Sequence, residues 1–328
     1  MVTKLALGQS VPSVPSRYSA LITAGGIGTR LLPFSKEIPK EMFPIFDSGP
    51  DGSVHLKPVA QAIFEQLHGL GMRSFIFVVG RGKRSLQDHF TSDRSFLQTL
   101  HVKGKASNGL RDFYEKIQSS TMVFLNQPEP LGFGDAVLRG QRFISETFVV
   151  HAGDTFVISR EGAHLGRMVS LHEKYGASAT ILLREVVDPR AYGVVGFEPL
   201  ESGVVKILEA VEKPEEPRSN LAIMPVYIFN TEIFGALART EPGKGGELQL
   251  TDGIQRLLEE GKRVIGVKLL KDELLLDIGS PATMMEALKL SSLRVEAARR
   301  RRQKTWSTPL RVVASARRTA AIRAPGRQ

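Results

Sequence analysis

SALITAGGIGTRLLPFSKEIPKEMFPI, residues 19–45, opens on an apolar run of strand length, SALITA (19–24), and passes directly into Gly25, Gly26 and Gly28. Arg30, Lys36 and Lys40 follow. Glycines without a Cβ let backbone N–H groups approach a phosphate or a flat base closely, and cations nearby neutralise a polyphosphate. Two commoner glycine loops fail on spacing. A dinucleotide fingerprint needs a third glycine where Leu31 stands, and the Gly-Lys-Ser/Thr of a Walker loop does not occur in the chain.

Outward from this stretch, SFIFVVG (74–80) is a second apolar run, and VAQAIFEQLHGLGM (59–72) between the two has helical spacing. That is a β–α–β unit, which implies parallel strands covered by helices. The rhythm continues through TMVFL (121–125), a helix opening near Gly134, FVVHAG (148–153), a helix at 163–176 ended by Gly176, and SATILLREV (178–186). The expected fold class is α/β, a three-layer α/β/α sandwich with a mostly parallel, Rossmann-like central sheet.

The second half is more mixed. VVGFE (194–198) and VVKILEAVEKP (204–214) flank a hairpin-like turn at 201–203, and IMPVYIF (223–229) is a further strand whose Pro225 suggests an edge or a bulge. A helix is expected at 250–261, a strand at 264–270, and a last helix from Pro281 to about Gln303. The expected organisation is an arm at 1–16, one body at 17–293 and a basic tail at 294–328.

Composition narrows the function classes. The 328 residues include no cysteine, which removes disulfide scaffolds and thiolate metal sites. No apolar run is long enough to span a bilayer, and Pro12 and Pro15 interrupt any secretory pattern, so a cytoplasmic protein is expected. The net charge of +10 suggests nucleic acid until it is partitioned. Residues 294–328 hold 11 of the 44 Lys and Arg but 1 of the 34 Asp and Glu, leaving the body with 33 of each. Contact with RNA or an anionic surface is therefore an expectation for the tail alone. The seven histidines lack ligand spacing, and no sequence signature of a covalent hydrolase is present.

The loop AGGIGTRLLPFSKEIPKEMFPI resembles the signature of the sugar-1-phosphate nucleotidylyltransferases, and within them is most similar to the prokaryotic UTP–glucose-1-phosphate uridylyltransferases. Further motifs follow in family order: QPEPLGFGDA (127–136), HAGDT (151–155), AYGVV (191–195), VEKP (211–214), SNLAI (219–223), GELQLTDGI (246–254) and DIGSP (277–281). The long segment 80–105 resembles the insertion of the uridylyltransferase branch. The resemblance implies transfer of a nucleotidyl group from UTP to glucose 1-phosphate with release of pyrophosphate, Mg²⁺ as cofactor, and a homo-oligomer.

The same resemblance supplies roles. Ala24, Gly25, Gly26, Gly28, Thr29, Arg30 and Lys40 would bind the nucleotide, with Arg30 on the departing phosphates. Gln127 would read the pyrimidine edge, and Gly132 would let the backbone close on the base. Asp154 and Asp277 would hold Mg²⁺; Gly193, Glu212 and Lys213 would bind the sugar phosphate, about 17–155 forming the nucleotide half and 156–293 the sugar half. Adjacent strand residues point to opposite faces, so Glu212 and Lys213 need a bulge or strand end to share a ligand. His151 is a candidate support for Asp154. Met284, Pro225 and Asp135 depart from the family pattern. A thymidylyltransferase, which would take dTTP, a UDP-N-acetylhexosamine pyrophosphorylase and an inactive binding homologue remain alternatives.

Overall fold

A computed structural model describes residues 18–49, 52–105 and 108–307; the expected arm and the tail beyond 307 lie outside them. β1 (Ser19–Ala24) leads through the glycine turn and three short 3-10 turns into β2 (Pro44–Ser48) and β3 (Val54–Pro58), then α1 (Val59–Gly69) and β4 (Ser74–Gly80). α2 (Arg84–His89), α3 (Arg94–Val102) and α4 (Asn108–Gln118) precede β5 (Thr121–Gln127), α5 (Phe133–Arg139), β6 (Phe148–Ala152) and β7 (Thr155–Ile158). Next come α6 (Ala163–Tyr175), β8 (Ala179–Glu185), β9 (Gly193–Glu201), β10 (Val204–Glu212) and β11 (Leu221–Phe229). α7 (Glu232–Ala238), α8 (Leu250–Glu259), β12 (Val264–Lys268), β13 (Leu274–Asp277) and α9 (Pro281–Ser307) complete the described chain.

The main sheet has nine strands in the order β5-β4-β1-β6-β11-β8-β12-β10-β9. Its first four strands are parallel, as the β–α–β reading requires. The expectation of a mostly parallel, Rossmann-like sheet is corrected beyond them. β11 runs antiparallel to both β6 and β8, β10 runs antiparallel to β12 and β9, and β9 returns to meet β11, closing a small barrel. The physical reason is the connection between β9 and β10: a two-residue turn through Ser202 and Gly203 can join only antiparallel strands, since a parallel pair needs a crossover. β11 is interior, and its register with β8 shifts between Ile223 and Tyr227, so Pro225, with no N–H for the ladder, occupies a bulge.

Alternation along the central strands divides the core into two clusters. Ile22 packs on one face with Phe64, Phe75 and Phe77; its neighbour Leu21 packs on the other with Phe148 and Phe229. Two small antiparallel sheets, β2–β3 and β7–β13, had no counterpart in the expected elements. The second is decisive for the site, since it carries Asp277 back across the molecule. α9 passes position 294 unbroken, and Val295 is buried.

Candidate active site

Because β1, β5 and β6 are parallel, Gly25, Gln127 and Asp154 emerge at the same sheet edge, where open α/β sheets bind ligands. Asp154 lies in the turn between β6 and β7. Asp277, the last residue of β13, stands opposite Thr155, and the Ile278 N–H donates to the Asp154 carbonyl at 2.9 Å. Backbone pairing thus brings together two acids from distant parts of the chain.

Lys40 opens a 3-10 turn just after Pro39, and its Nζ donates to Asp154 Oδ2 at 2.5 Å. The Lys40 amine also lies beside Gly26, and Arg30 Nη2 and the Asp277 carboxylate both press against Gly279. Two cations and two acids therefore form one cluster. Burial opposes the charge of Lys40, but Asp154 outweighs it and holds the Lys40 pKa above the usual value. Burial also opposes ionisation of Asp154, yet Lys40 holds that carboxyl below its ordinary range. Asp277 is raised instead, by burial first and then by the charge of Asp154.

Burial and the Asp154 charge disfavour an ionised Asp277, with Arg30 and Lys40 opposing them, and a dication at this point would favour the charged form further. Among the described residues no group of three or more His, Cys, Asp or Glu could hold a metal. Two hard carboxylates facing a cavity fit Mg²⁺, which takes one or two protein carboxylates and completes its shell with phosphates and water.

Beneath Lys40, Glu41 is almost fully buried and accepts from Lys83 Nζ at 2.8 Å. Burial pushes the Glu41 carboxyl up despite that partner. The pair ties the turn carrying Lys40 to the segment after β4. Glu41 stands inside the glycine-loop stretch and Lys83 inside the segment 80–105, but the one-dimensional pattern gives no reason to pair them.

At the second end of the edge, Gln127 closes β5 and is buried, its Oε1 resting against Gly25. A Cβ at Gly25 would overlap that oxygen at 1.8 Å, so only glycine permits this approach. Gly132, at φ 107°, leads into α5, and a Cβ there would meet the Leu248 carbonyl at 2.5 Å. Three expected nucleotide residues do not line the cavity. The Ala24 side chain is in the core, Gly28 makes a left-handed turn, and Thr29 faces outward in the following 3-10 turn.

The expected sugar-phosphate residues meet on the barrel side. β10 ends at Glu212, and Lys213 adopts φ 44°, a left-handed conformation rare for a residue with a side chain. That twist cancels the strand alternation and brings Lys213 Nζ to 3.0 Å from Glu212 Oε1. The other Glu212 oxygen accepts from Thr251 Oγ1 at 2.7 Å, and Gly193 lies against both Thr251 and Glu212. Thr251 stands within GELQLTDGI (246–254), where the one-dimensional pattern gives no reason to separate it from its neighbours.

A single cavity of about 900 Å³ runs from Gly25 and Gln127, past Lys40, Asp154 and Asp277, to Glu212 and Lys213. This is the upper range for small-molecule pockets, ample for two substrates side by side. Pro225 lines it, whereas Met284 packs against the core. His151 is fully buried, and its Nδ1 pairs with the Ala152 carbonyl at 2.8 Å rather than with Asp154.

A mixed sheet carries a glycine turn, paired acids and cations on one cavity, and the chain belongs to the nucleotidyl transferase family, whose model matches residues 19–292. Its relatives narrow this further. It is 37% identical over 247 residues to a protein of Staphylococcus epidermidis named UTP–glucose-1-phosphate uridylyltransferase, covering 73% of this chain and 80% of that one. A Bacillus subtilis protein of the same name, YngB, is 34% identical over 265 residues, 76% and 85% of the two chains. Among solved structures, a UDP-glucose pyrophosphorylase complexed with UDP-glucose matches with a TM-score of 0.72 and 34% identity, over 84% of this chain and 99% of that one. A UTP-bound UGPase from Acinetobacter baumannii gives 0.70 at 26% identity, over 89% and 99%.

Proposed function

We propose that this enzyme transfers the uridylyl group of UTP to glucose 1-phosphate, releasing UDP-glucose and pyrophosphate. The observation that carries the reading is the adjacency of Asp154, Asp277 and Lys40 at the middle of one cavity, between the glycine turn and the Glu212–Lys213 pair. The names of its relatives favour UTP and glucose over the other pairings.

The obstacle is charge, because two polyanions must meet in line. An oxygen of the sugar phosphate attacks the α-phosphorus, the bond to the bridging oxygen breaks, and pyrophosphate leaves with the electron pair. Both phosphates are already ionised, so neither a protein nucleophile nor a base is required. Lys40, anchored by Asp154, presents its ammonium to the triphosphate, and Arg30 takes the departing end. Lys213 neutralises the incoming sugar phosphate, while Glu212, oriented by Thr251, accepts from sugar hydroxyls. Gly25, Gly26 and Gly132 admit the nucleotide closely, and Gln127 meets its base. Asp154 and Asp277 would hold Mg²⁺, which when bound supplies positive charge to the reacting phosphates.

On this reading residues 17–155 contribute the nucleotide half of the site and 156–293 the sugar half. The family resemblance further supports a cytoplasmic homo-oligomer. Pyrophosphate release measured with UTP, dTTP, CTP and ATP against glucose 1-phosphate and N-acetylglucosamine 1-phosphate tests the assignment. UTP with glucose 1-phosphate is expected to give the highest kcat/KM. A preference for dTTP overturns the uridine assignment, and inactivity with every pair favours a binding homologue.

A further inference from the structure

We infer that Asp135 is a positioning residue for nucleobase specificity, locking the Gln127 carboxamide so that this side chain presents a hydrogen-bond acceptor, and no donor, to the nucleobase. The inference rests on the proposed reading that the base docks beside Gly25. Gln127 Nε2 donates to the Gly132 carbonyl at 3.1 Å and to Asp135 Oδ2 at 2.7 Å. Both partners are obligate acceptors when Asp135 is ionised, so neither can face the amide oxygen, and the orientation of the carboxamide follows from chemistry alone. Arg139 fixes the lock one helical turn on, with Nε donating to Asp135 Oδ2 at 2.8 Å and Nη2 to Oδ1 at 3.3 Å.

Both Gln127 amide hydrogens are therefore consumed. Its Oε1 accepts no hydrogen bond among the described residues and rests against Gly25 on the cavity wall. A free carboxamide could rotate and offer either its oxygen or its NH₂ to a ligand. The locked one offers an acceptor. An acceptor aimed at position 3 of a pyrimidine pairs with the N3–H of an imide, in uracil and thymine alike, and faces the N3 lone pair of cytosine. Asp135 touches no substrate in this scheme; it acts through Gln127.

The test is kcat/KM for UTP, dTTP and CTP, with glucose 1-phosphate saturating, in the wild type, Asp135→Ala and Asp135→Asn. Asp135→Ala is expected to reduce the UTP-to-CTP preference about 10- to 100-fold, the range for a charge-assisted hydrogen bond. The change should fall mainly on KM, and the UTP-to-dTTP ratio should stay constant, because those bases share the edge being read. Asp135→Asn, which keeps an acceptor but loses the charge, is expected to fall between wild type and Asp135→Ala, and it serves as the readout if the alanine variant does not fold. A folded variant whose activities with all three nucleotides drop in proportion, or whose preference is unaltered, overturns the role of Asp135. A wild type that discriminates against UTP instead refutes the underlying functional reading.

Discussion

Among the described residues, Lys40 and Asp154 form the closest ion pair of the cavity wall, shielded from water: Nζ and Oδ2 are 2.5 Å apart, with each side chain about one-sixth exposed. The two groups raise and lower each other's pKa in the directions that keep both charged. Lys40→Met should therefore lower kcat by about 100-fold or more, the scale for losing one preorganised group that stabilises transition-state charge. Lys40→Arg is expected to restore little, because a planar guanidinium cannot occupy the position of a compact ammonium. Steady-state kinetics of the two variants checks this.

The Lys83–Glu41 pair supports the turn beneath Lys40 and is more deeply buried still. Breaking such a pair leaves an uncompensated charge, so Lys83→Met should destabilise the fold by about 3–5 kcal/mol. Replacing both members, as Lys83→Met with Glu41→Leu, should recover most of that loss. Urea unfolding of the single and double variants measures both effects.

Lys213 is half-exposed and held at positive φ beside Glu212. Lys213→Ala is expected to raise the KM for glucose 1-phosphate by about tenfold, the scale of one modest charged contact. The KM for UTP should change little, since the nucleotide binds at the other end of the cavity. Initial rates with each substrate varied in turn separate the two.

Burial lowers the His151 pKa from 6.5 to about 4, only partly offset by its bond to the Ala152 carbonyl and by Asp154. His164, buried and bonded to Ser159, is lowered as well. The unfolded chain thus takes up a proton at His151 that the folded chain refuses between these values. Stability is full above about pH 6.5 and falls as pH drops toward 4, by roughly 3 kcal/mol for His151 at the limit. His151→Leu should flatten that dependence in urea titrations at pH 7.5 and 5.

Much of the fold is legible in the sequence where apolar runs are buried on both faces. SALITA and SFIFVVG coincide with β1 and β4, and Gly176 caps α6 in the left-handed conformation. The antiparallel placement of β11 is not legible, because strand composition carries no direction. Nor are β7 and β13, two four-residue strands whose pairing depends on a contact across the whole second half of the chain. The site divides along the same line. The glycines, Lys40 and both acids stand in motifs, so resemblance names them. Lys83, Glu41 and Thr251 act through partners some forty positions away, and only the folded chain brings those partners together.

The most direct test of the account is the rate of Mg²⁺-supported pyrophosphate release from UTP and glucose 1-phosphate in Asp154→Asn and Asp277→Asn, each matched to wild type in melting temperature. Each substitution is expected to cost at least about 1000-fold in kcat, with Asp277→Asn also demanding more Mg²⁺ for half-maximal rate. Turnover close to wild type in either variant would contradict a site built on that pair of carboxylates.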